Sequence, residues 1–315
     1  MDRIECWNDT RRICEEKRLY PNNQSVKLQY DENYQWVKQS EKSTIKFMNM
    51  DAIKCSILHC INENPLVLNL ADDNFAGGCI ESGSGAQEES LFRRTNYYLT
   101  LVQKLYPIRK DEAIYSPEVK VVKTTEKSGW KIIPDGFWPE LAFIACPGIK
   151  YPDLIYRHNE DGTENEKILN ERDTQMLKTK IKLIIQIANK YGHRTIVLGA
   201  LGCGAWRNPP KYVAEIFKEV LEECDGYVEN YVFAILNTRN DQQVVRNFET
   251  EGHLPTCEIF KKIFADEVVP IPKEQEEQQE QQEQQEQEQS DGSKTIYFDQ
   301  SHKPDQQRSI PPPPQ

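Results

Sequence analysis

Four short apolar runs limit what this chain can fold into. They are Leu66-Val67-Leu68-Asn69-Leu70-Ala71, Leu141-Ala142-Phe143-Ile144-Ala145-Cys146, Thr195-Ile196-Val197-Leu198-Gly199-Ala200 and Tyr231-Val232-Phe233-Ala234-Ile235-Leu236. Each is continuous rather than alternating, and too short to be a helix of ordinary length. That is the pattern of a strand buried on both faces of a sheet. Helical periodicity falls between them. The spacing predicts a helix from about Gln87 to Lys104 and a long one from about Asn170 to Tyr191. The second would turn Met176, Leu177, Ile181, Ile184, Ile185 and Ala188 inward, with Gly192 as its stop. Asn208 is expected to cap a helix that starts with Pro209 and runs to about Cys224, and a last helix is expected over Asp241 to Thr250. Strands alternating with helices specify an α/β layered domain with a largely parallel or mixed sheet.

The remaining segments fit around that frame. Residues 1–64 read as mostly helical, with Thr10 to Glu16 and Met50 to Asn62 as helices and Pro65 ending the second. Residues 113–116 and 119–122 read as two extended pieces, and 150–165 as a loop. The organisation expected is a helical N-terminal extension over 1–64 packed on a core domain over 65–265, followed by a disordered tail over 273–315. The tail is Glu/Gln repeats ending in Pro311 to Pro314, with almost no residues that build a core. It explains why only 38% of the 315 residues are apolar.

Charge and cysteine usage exclude several classes. The net charge is −11, of which the tail's ten acidic and four basic residues account for −6, leaving −5 for the body. An acidic body is unsuited to wrapping duplex nucleic acid, which needs a Lys/Arg surface. It leaves room for a nucleotide-sized anion held by backbone amides. Nine cysteines without framework spacing are expected to be free thiols in a reducing compartment. The N-terminal Met1-Asp2-Arg3-Ile4-Glu5 is not of signal-peptide type, and no apolar run has the length of a membrane span. The expected location is therefore intracellular, cytoplasmic or nuclear.

The chemistry is concentrated in two glycine loops, each just after a predicted strand and before a predicted helix. The first, Gly77-Gly78-Cys79-Ile80-Glu81-Ser82-Gly83-Ser84-Gly85-Ala86, runs into Gln87-Glu88-Glu89. Glycines expose amide N–H groups to an anionic ligand, and carboxylates at a helix start are favoured by the dipole. The second is Gly202-Cys203-Gly204-Ala205-Trp206. In open α/β sheets, ligands bind beyond the carboxyl ends of the strands, so loops distant in sequence meet at one site. Cys203 between two glycines has no His/Asp arrangement to activate it, and a packing thiol is the better reading. Cys55 and Cys60 on a helix and the five histidines lack zinc-ligand spacing, so neither metal nor cofactor is expected.

Taken in order, these segments resemble the microbial-type poly(ADP-ribose) glycohydrolase family. The resemblance rests on Leu66 to Ala71, the first glycine loop with Gln87-Glu88-Glu89, and Val197 to Pro210. Weaker blocks are Arg3 with Asp9-Thr10, Ile114 to Val119 and Phe233-Ala234-Ile235, so it spans roughly residues 3–250. It implies a macrodomain-like three-layer α/β/α sandwich and hydrolysis of the ribose–ribose O-glycosidic bond of poly(ADP-ribose), releasing ADP-ribose. Glu89 would then be the catalytic acid/base, with Glu88 and Gln87 positioning the distal ribose and the loop. Asn74 and the backbones of Gly77, Gly78, Gly202, Cys203, Gly204, Ala205 and Trp206 would contact substrate, with Trp206 covering the distal ribose. The expected partners are poly(ADP-ribose) or ADP-ribosylated protein, met by a monomer. Two other readings belong beside this one: an ADP-ribose-binding module without turnover, and a hydrolase of mono-ADP-ribosylated protein. The reason is a departure in the first loop. Where the family has three glycines, this chain has Cys79 at the third or, in the other register, Ala76 at the first. A Cβ there is incompatible with a positive φ or a close backbone approach.

Overall fold

A computed structural model describes residues 1–158, 165–237 and 254–265. Its centre is a seven-stranded mixed sheet. The strands are β1 (Val26–Gln29), β2 (Thr44–Met48), β3 (Pro65–Asn69), β4 (Glu112–Lys120), β5 (Glu140–Ala145), β8 (Thr195–Leu198) and β9 (Asn230–Ala234), in the spatial order β1-β4-β5-β3-β8-β9-β2. The four predicted apolar runs are β3, β5, β8 and β9. They lie side by side and parallel at the middle of the sheet, and β3 is buried at every residue.

Alternate residues of these strands feed two cores. Leu66, Leu68, Ile144, Ile196, Leu198 and Phe233 face α4 (Glu171–Lys190), α5 (Pro210–Glu223) and α6 (Thr256–Ile263). Val67, Phe143, Val197 and Val232 face the opposite layer, which holds Trp7 of α1 (Arg3–Glu16), Ile53 of α2 (Ala52–Cys55) and Leu91 and Phe92 of α3 (Gln87–Arg94). The result is the three-layer α/β/α arrangement. α1 starts with a capping box, in which Asp2 accepts from the N–H groups of Ile4 and Glu5 and the Glu5 carboxylate accepts the Asp2 N–H. α4 is capped by Asn170, which accepts from the Asp173 N–H.

Several expectations need correction. Residues 1–64 are not mainly helical: β1 pairs antiparallel with β4 and β2 parallel with β9, so this segment supplies both edges of the sheet. α3 stops at Arg94 rather than Lys104. Thr95 turns extended to bridge Val121, and Asn96 and Lys120 exchange hydrogen bonds, so a partner remote in sequence overrides helical periodicity. The two extended pieces at 113–122 are the single strand β4, whose pairing with β5 shifts register between Ser116 and Val119, around Pro117. Proline cannot donate to a ladder and sits naturally at such an irregularity. The stretch read as a loop at 150–165 contains β6 (Leu154–His158), antiparallel to β7 (Asn165–Leu169) in a separate two-stranded sheet. The helix near 50–62 is present but uneven: α2 passes into a π turn at Ser56–Cys60 and a 3-10 turn at Ile61–Glu63. The expected helix at 241–250 and the tail at 273–315 lie outside the described residues.

Phe233 of β9 is fully buried and touches four other rings. It stacks on Phe47 at 4.9 Å between centroids and meets Phe217, Phe260 and Phe264 at 5.3, 5.5 and 5.6 Å. These rings come from β2, α5 and the α6 region, so one side chain joins the sheet edge to a helical layer. Phe233→Ala is expected to cost about 3–5 kcal/mol. Urea denaturation should show this as a lower midpoint with an unchanged slope.

Candidate active site

The site is built where β3, β5 and β8 end, and α3 is its foundation. Gln87 fixes the start of that helix to the end of β3. Its carboxamide oxygen accepts the Leu70 N–H at 2.9 Å, and its nitrogen donates to the Leu68 carbonyl at 2.7 Å. The next two side chains enter the glycine loop. Glu88 accepts from Asp72 N at 2.7 Å, Gly77 N at 3.2 Å and Asn69 Nδ2 at 3.3 Å. Glu89 accepts from Cys79 N at 3.0 Å through one oxygen. Its second oxygen, Oε2, is buried with no hydrogen-bond partner among the described residues. Both carboxylates are nearly sealed from solvent, at 3% and 5% exposure.

Sterics at the loop explain its glycines. Gly77 and Gly78 have φ of +80° and +56°, a region that L side chains rarely enter. A Cβ on Gly77 would come within 2.7 Å of the Phe92 ring, and one on Gly78 within 2.7 Å of Glu89 Oε1 and 3.1 Å of Glu88 Oε2. Cys79 has φ −99° and an exposed side chain, and Ala76 is not among the residues with positive φ. The two positions that demand glycine therefore have it, and the departure at Cys79 or Ala76 falls where a Cβ is tolerated.

Burial is the largest influence on the Glu88 carboxyl and pushes it up to about 8, although the three N–H donors pull the other way. Tyr106, also buried, has its phenol raised first by burial and then by the Glu88 charge.

The second loop closes the opposite side. Gly202 has φ +76°, and a Cβ there would come within 2.7 Å of Asn208. A Cβ on Gly148, in the loop after β5, would come within 2.7 Å of the Gly202 backbone, so these two chains pass in direct contact. Asn208 secures the crossing by donating to the carbonyls of Ile149 at 2.6 Å and Gly202 at 3.0 Å. Its role is thus to tie two loops, not to cap α5 as the sequence suggested. The cap position is Pro209, without a side-chain bond, and Pro210 opens the helix. Cys203 is buried, Gly204 and Ala205 are exposed and Trp206 is half-buried. Asn74 is exposed on the first loop, where its carboxamide donates to Asp73 at 2.7 Å.

Three neighbours of these groups carried no motif. Asn69 and Asp72 hold Glu88, and Lys150 reaches Asp72 at 3.2 Å and Asp73 at 2.9 Å while standing 5.5 Å from the Trp206 ring. The signal for Asn69 was present as the one polar residue inside the run Leu66 to Ala71. A recess of about 450 Å³ lined by Met1, Asp2, Arg3, Ile4, Gly83, Glu126 and Trp130 lies at the start of α1 and touches none of these groups.

Fold and site together define a macrodomain-like α/β/α protein with two carboxylates locked behind a glycine loop. Residues 2–124 match the family described as microbial-type PARG, catalytic domain. The poly(ADP-ribose) glycohydrolase of Thermomonospora curvata is similar in structure, with a TM-score of 0.62, 20% identity and coverage of 83% of this chain and 99% of that one. The same enzyme bound to the inhibitor ADP-HPD gives 0.60, 20%, 82% and 98%. That of Deinococcus radiodurans in complex with ADP-ribose gives 0.56, 22%, 74% and 88%. None of the curated proteins matches the chain. The likeness to the solved structures shows the fold, and the family match covers residues 2–124, the part that holds both acids. The matched residues include α3 and the first glycine loop.

Glu88 also governs pH dependence. Its folded carboxyl holds the proton to about 8, whereas the unfolded chain releases it near 4.5. The unfolded state therefore binds fewer protons between these values, and stability falls as pH rises through that window. Measured against Glu88→Gln by urea denaturation at a series of pH values, the unaltered protein should lose on the order of 1 kcal/mol per pH unit there. A difference that does not vary with pH would mean that the carboxylate is charged throughout.

Proposed function

We propose that this protein hydrolyses the ribose–ribose O-glycosidic bonds of poly(ADP-ribose) and releases ADP-ribose. The observation that carries the reading is the unequal state of the two acids. Both Glu88 oxygens are committed to N–H donors from β3, the following turn and the glycine loop. Glu89 is anchored through one oxygen, with the other unpartnered. A group that transfers a proton needs a free oxygen, and only Glu89 has one.

The division of labour follows. Glu89 protonates the oxygen of the leaving ribose as the glycosidic bond breaks, and positive charge develops at the sugar's anomeric carbon. The carboxylate left on Glu89 then takes a proton from the attacking water. Glu88 holds the loop so that Glu89 and the amides facing the diphosphate keep their geometry. The Gly77-Gly78 and Gly202 to Trp206 backbones receive the diphosphate, since they bring chain close to ligand without side chains in the way. Trp206 lies over the distal ribose. ADP-ribose is both the repeating unit bound and the product. Nine free thiols support a reducing, intracellular setting, and no helix among the described residues is long and apolar enough to cross a membrane.

Glu89→Gln keeps the shape and removes the proton. It should lower turnover of labelled poly(ADP-ribose) by about 10²–10⁴-fold, while calorimetric titration with ADP-ribose shows binding retained. Full activity in that variant would remove Glu89 from the chemistry. Release of ADP-ribose from mono-modified protein but not from polymer would replace the substrate.

A further inference from the structure

Lys150 occupies a position that backbone-only recognition of a diphosphate does not explain. It follows β5, the strand between β3 and the antiparallel β4. Its ammonium contacts Asp72 and Asp73 beside the first glycine loop and stands over Trp206 of the second. It therefore spans the mouth between the two halves of the cradle. Its base is fixed, because Gly148 packs against Gly202 and the Ile149 carbonyl is held by Asn208. Its tip is not buried, with the side chain 37% exposed.

The electrostatics of the mouth call for such a residue. Asp72 and Asp73 bring two carboxylates to one edge of a site read as taking a dianionic diphosphate. Amide dipoles supply only partial charges. A lysine on a firm base with a solvent-accessible tip supplies a full positive charge and three donors. Asp73 and Asp72 hold that charge in the unliganded protein, raising the Lys150 pKa chiefly through the hydrogen bond to Asp73.

Resting on the proposed reading of the site, we infer that Lys150 is a substrate-binding residue that leaves Asp73 to pair with the diphosphate of ADP-ribose. Asp72 and Asp73 compete with the ligand for the same ammonium. The exchange breaks one ion pair and forms another, and no covalent step is involved. Lys150 thereby selects for the phosphates rather than for the nucleoside.

Titration calorimetry on the full chain separates this role from that of a passive strap. Lys150→Ala should weaken ADP-ribose binding about tenfold, as loss of a charge-assisted contact does. Lys150→Arg should recover most of it, and weak binding of adenosine, which has no phosphate, should be the same in all forms. The decisive variant is Asp73→Asn. Freed from its competitor, Lys150 should bind ADP-ribose several-fold more tightly. If Lys150 were only a strap, Asp73→Asn would weaken binding in the same direction as Lys150→Ala, and that result overturns the inference. So does unchanged binding in Lys150→Ala. Failure of the unaltered protein to bind ADP-ribose would instead overturn the proposed function.

Discussion

The path of the first glycine loop is dictated by one buried acid. Glu88 accepts hydrogen bonds from the end of β3, from the turn that follows it and from the glycine loop, and so fixes three segments at one point. Placing a carboxylate out of solvent is unfavourable unless donors replace the lost water. The converse also holds: without Glu88, the buried amides would be unpaired, at about 1–3 kcal/mol each. Acid and loop therefore require one another. Gln87 extends the same logic one residue back by pairing with both Leu68 and Leu70.

That arrangement explains how adjacent residues on a helix make different contacts. Glu88 and Glu89 diverge by about 100° around the helix axis, so they cannot flank a bond symmetrically. They approach opposite ends of one tripeptide, Glu88 at the Gly77 amide and Glu89 at the Cys79 amide. Gly78 between them has a carboxylate oxygen on each side, where a methyl group would collide. The glycine at this position is required by the acids themselves.

Legibility in the sequence followed burial. β3, β5, β8 and β9 are covered on both faces, and their apolar runs say so. β1 and β2 are edge strands; Val26-Lys27-Leu28-Gln29 and Thr44-Ile45-Lys46-Phe47 alternate, a weaker signal easily taken for amphipathic helix in a polar segment. The end of α3 depends on Thr95 finding Val121, a long-range pairing that no local window contains. In the site, Glu88 and Glu89 stood out as a motif, but their unequal status did not, because it arises from which amides each meets. The significance of Cys79 was equally hidden, since a φ of −99° is a property of the folded loop. Lys150 is one lysine among many until the Gly148–Gly202 crossing brings it between the loops.

α3 has eight residues, too few to be a stable helix by itself in water. What holds it is polar side chains buried at both ends as well as the apolar face of Leu91 and Phe92. At its start, Glu88 and Glu89 meet the loop amides. At its finish, Arg94 pairs with Asp51 at 2.7 Å and Arg93 donates to the Ser84 carbonyl at 2.7 Å, both side chains nearly inaccessible. Acids at the N-terminus and cations at the C-terminus are the arrangement the dipole favours. Arg93 also returns to the far end of the same glycine loop, so the loop is gripped by α3 at Gly77, Cys79 and Ser84. The helix that carries Glu88 and Glu89 is thus the scaffold for the first glycine loop. Rigid support lies beneath the acid proposed to react, and the half-buried Trp206 and the partly exposed Lys150 are left to the rim.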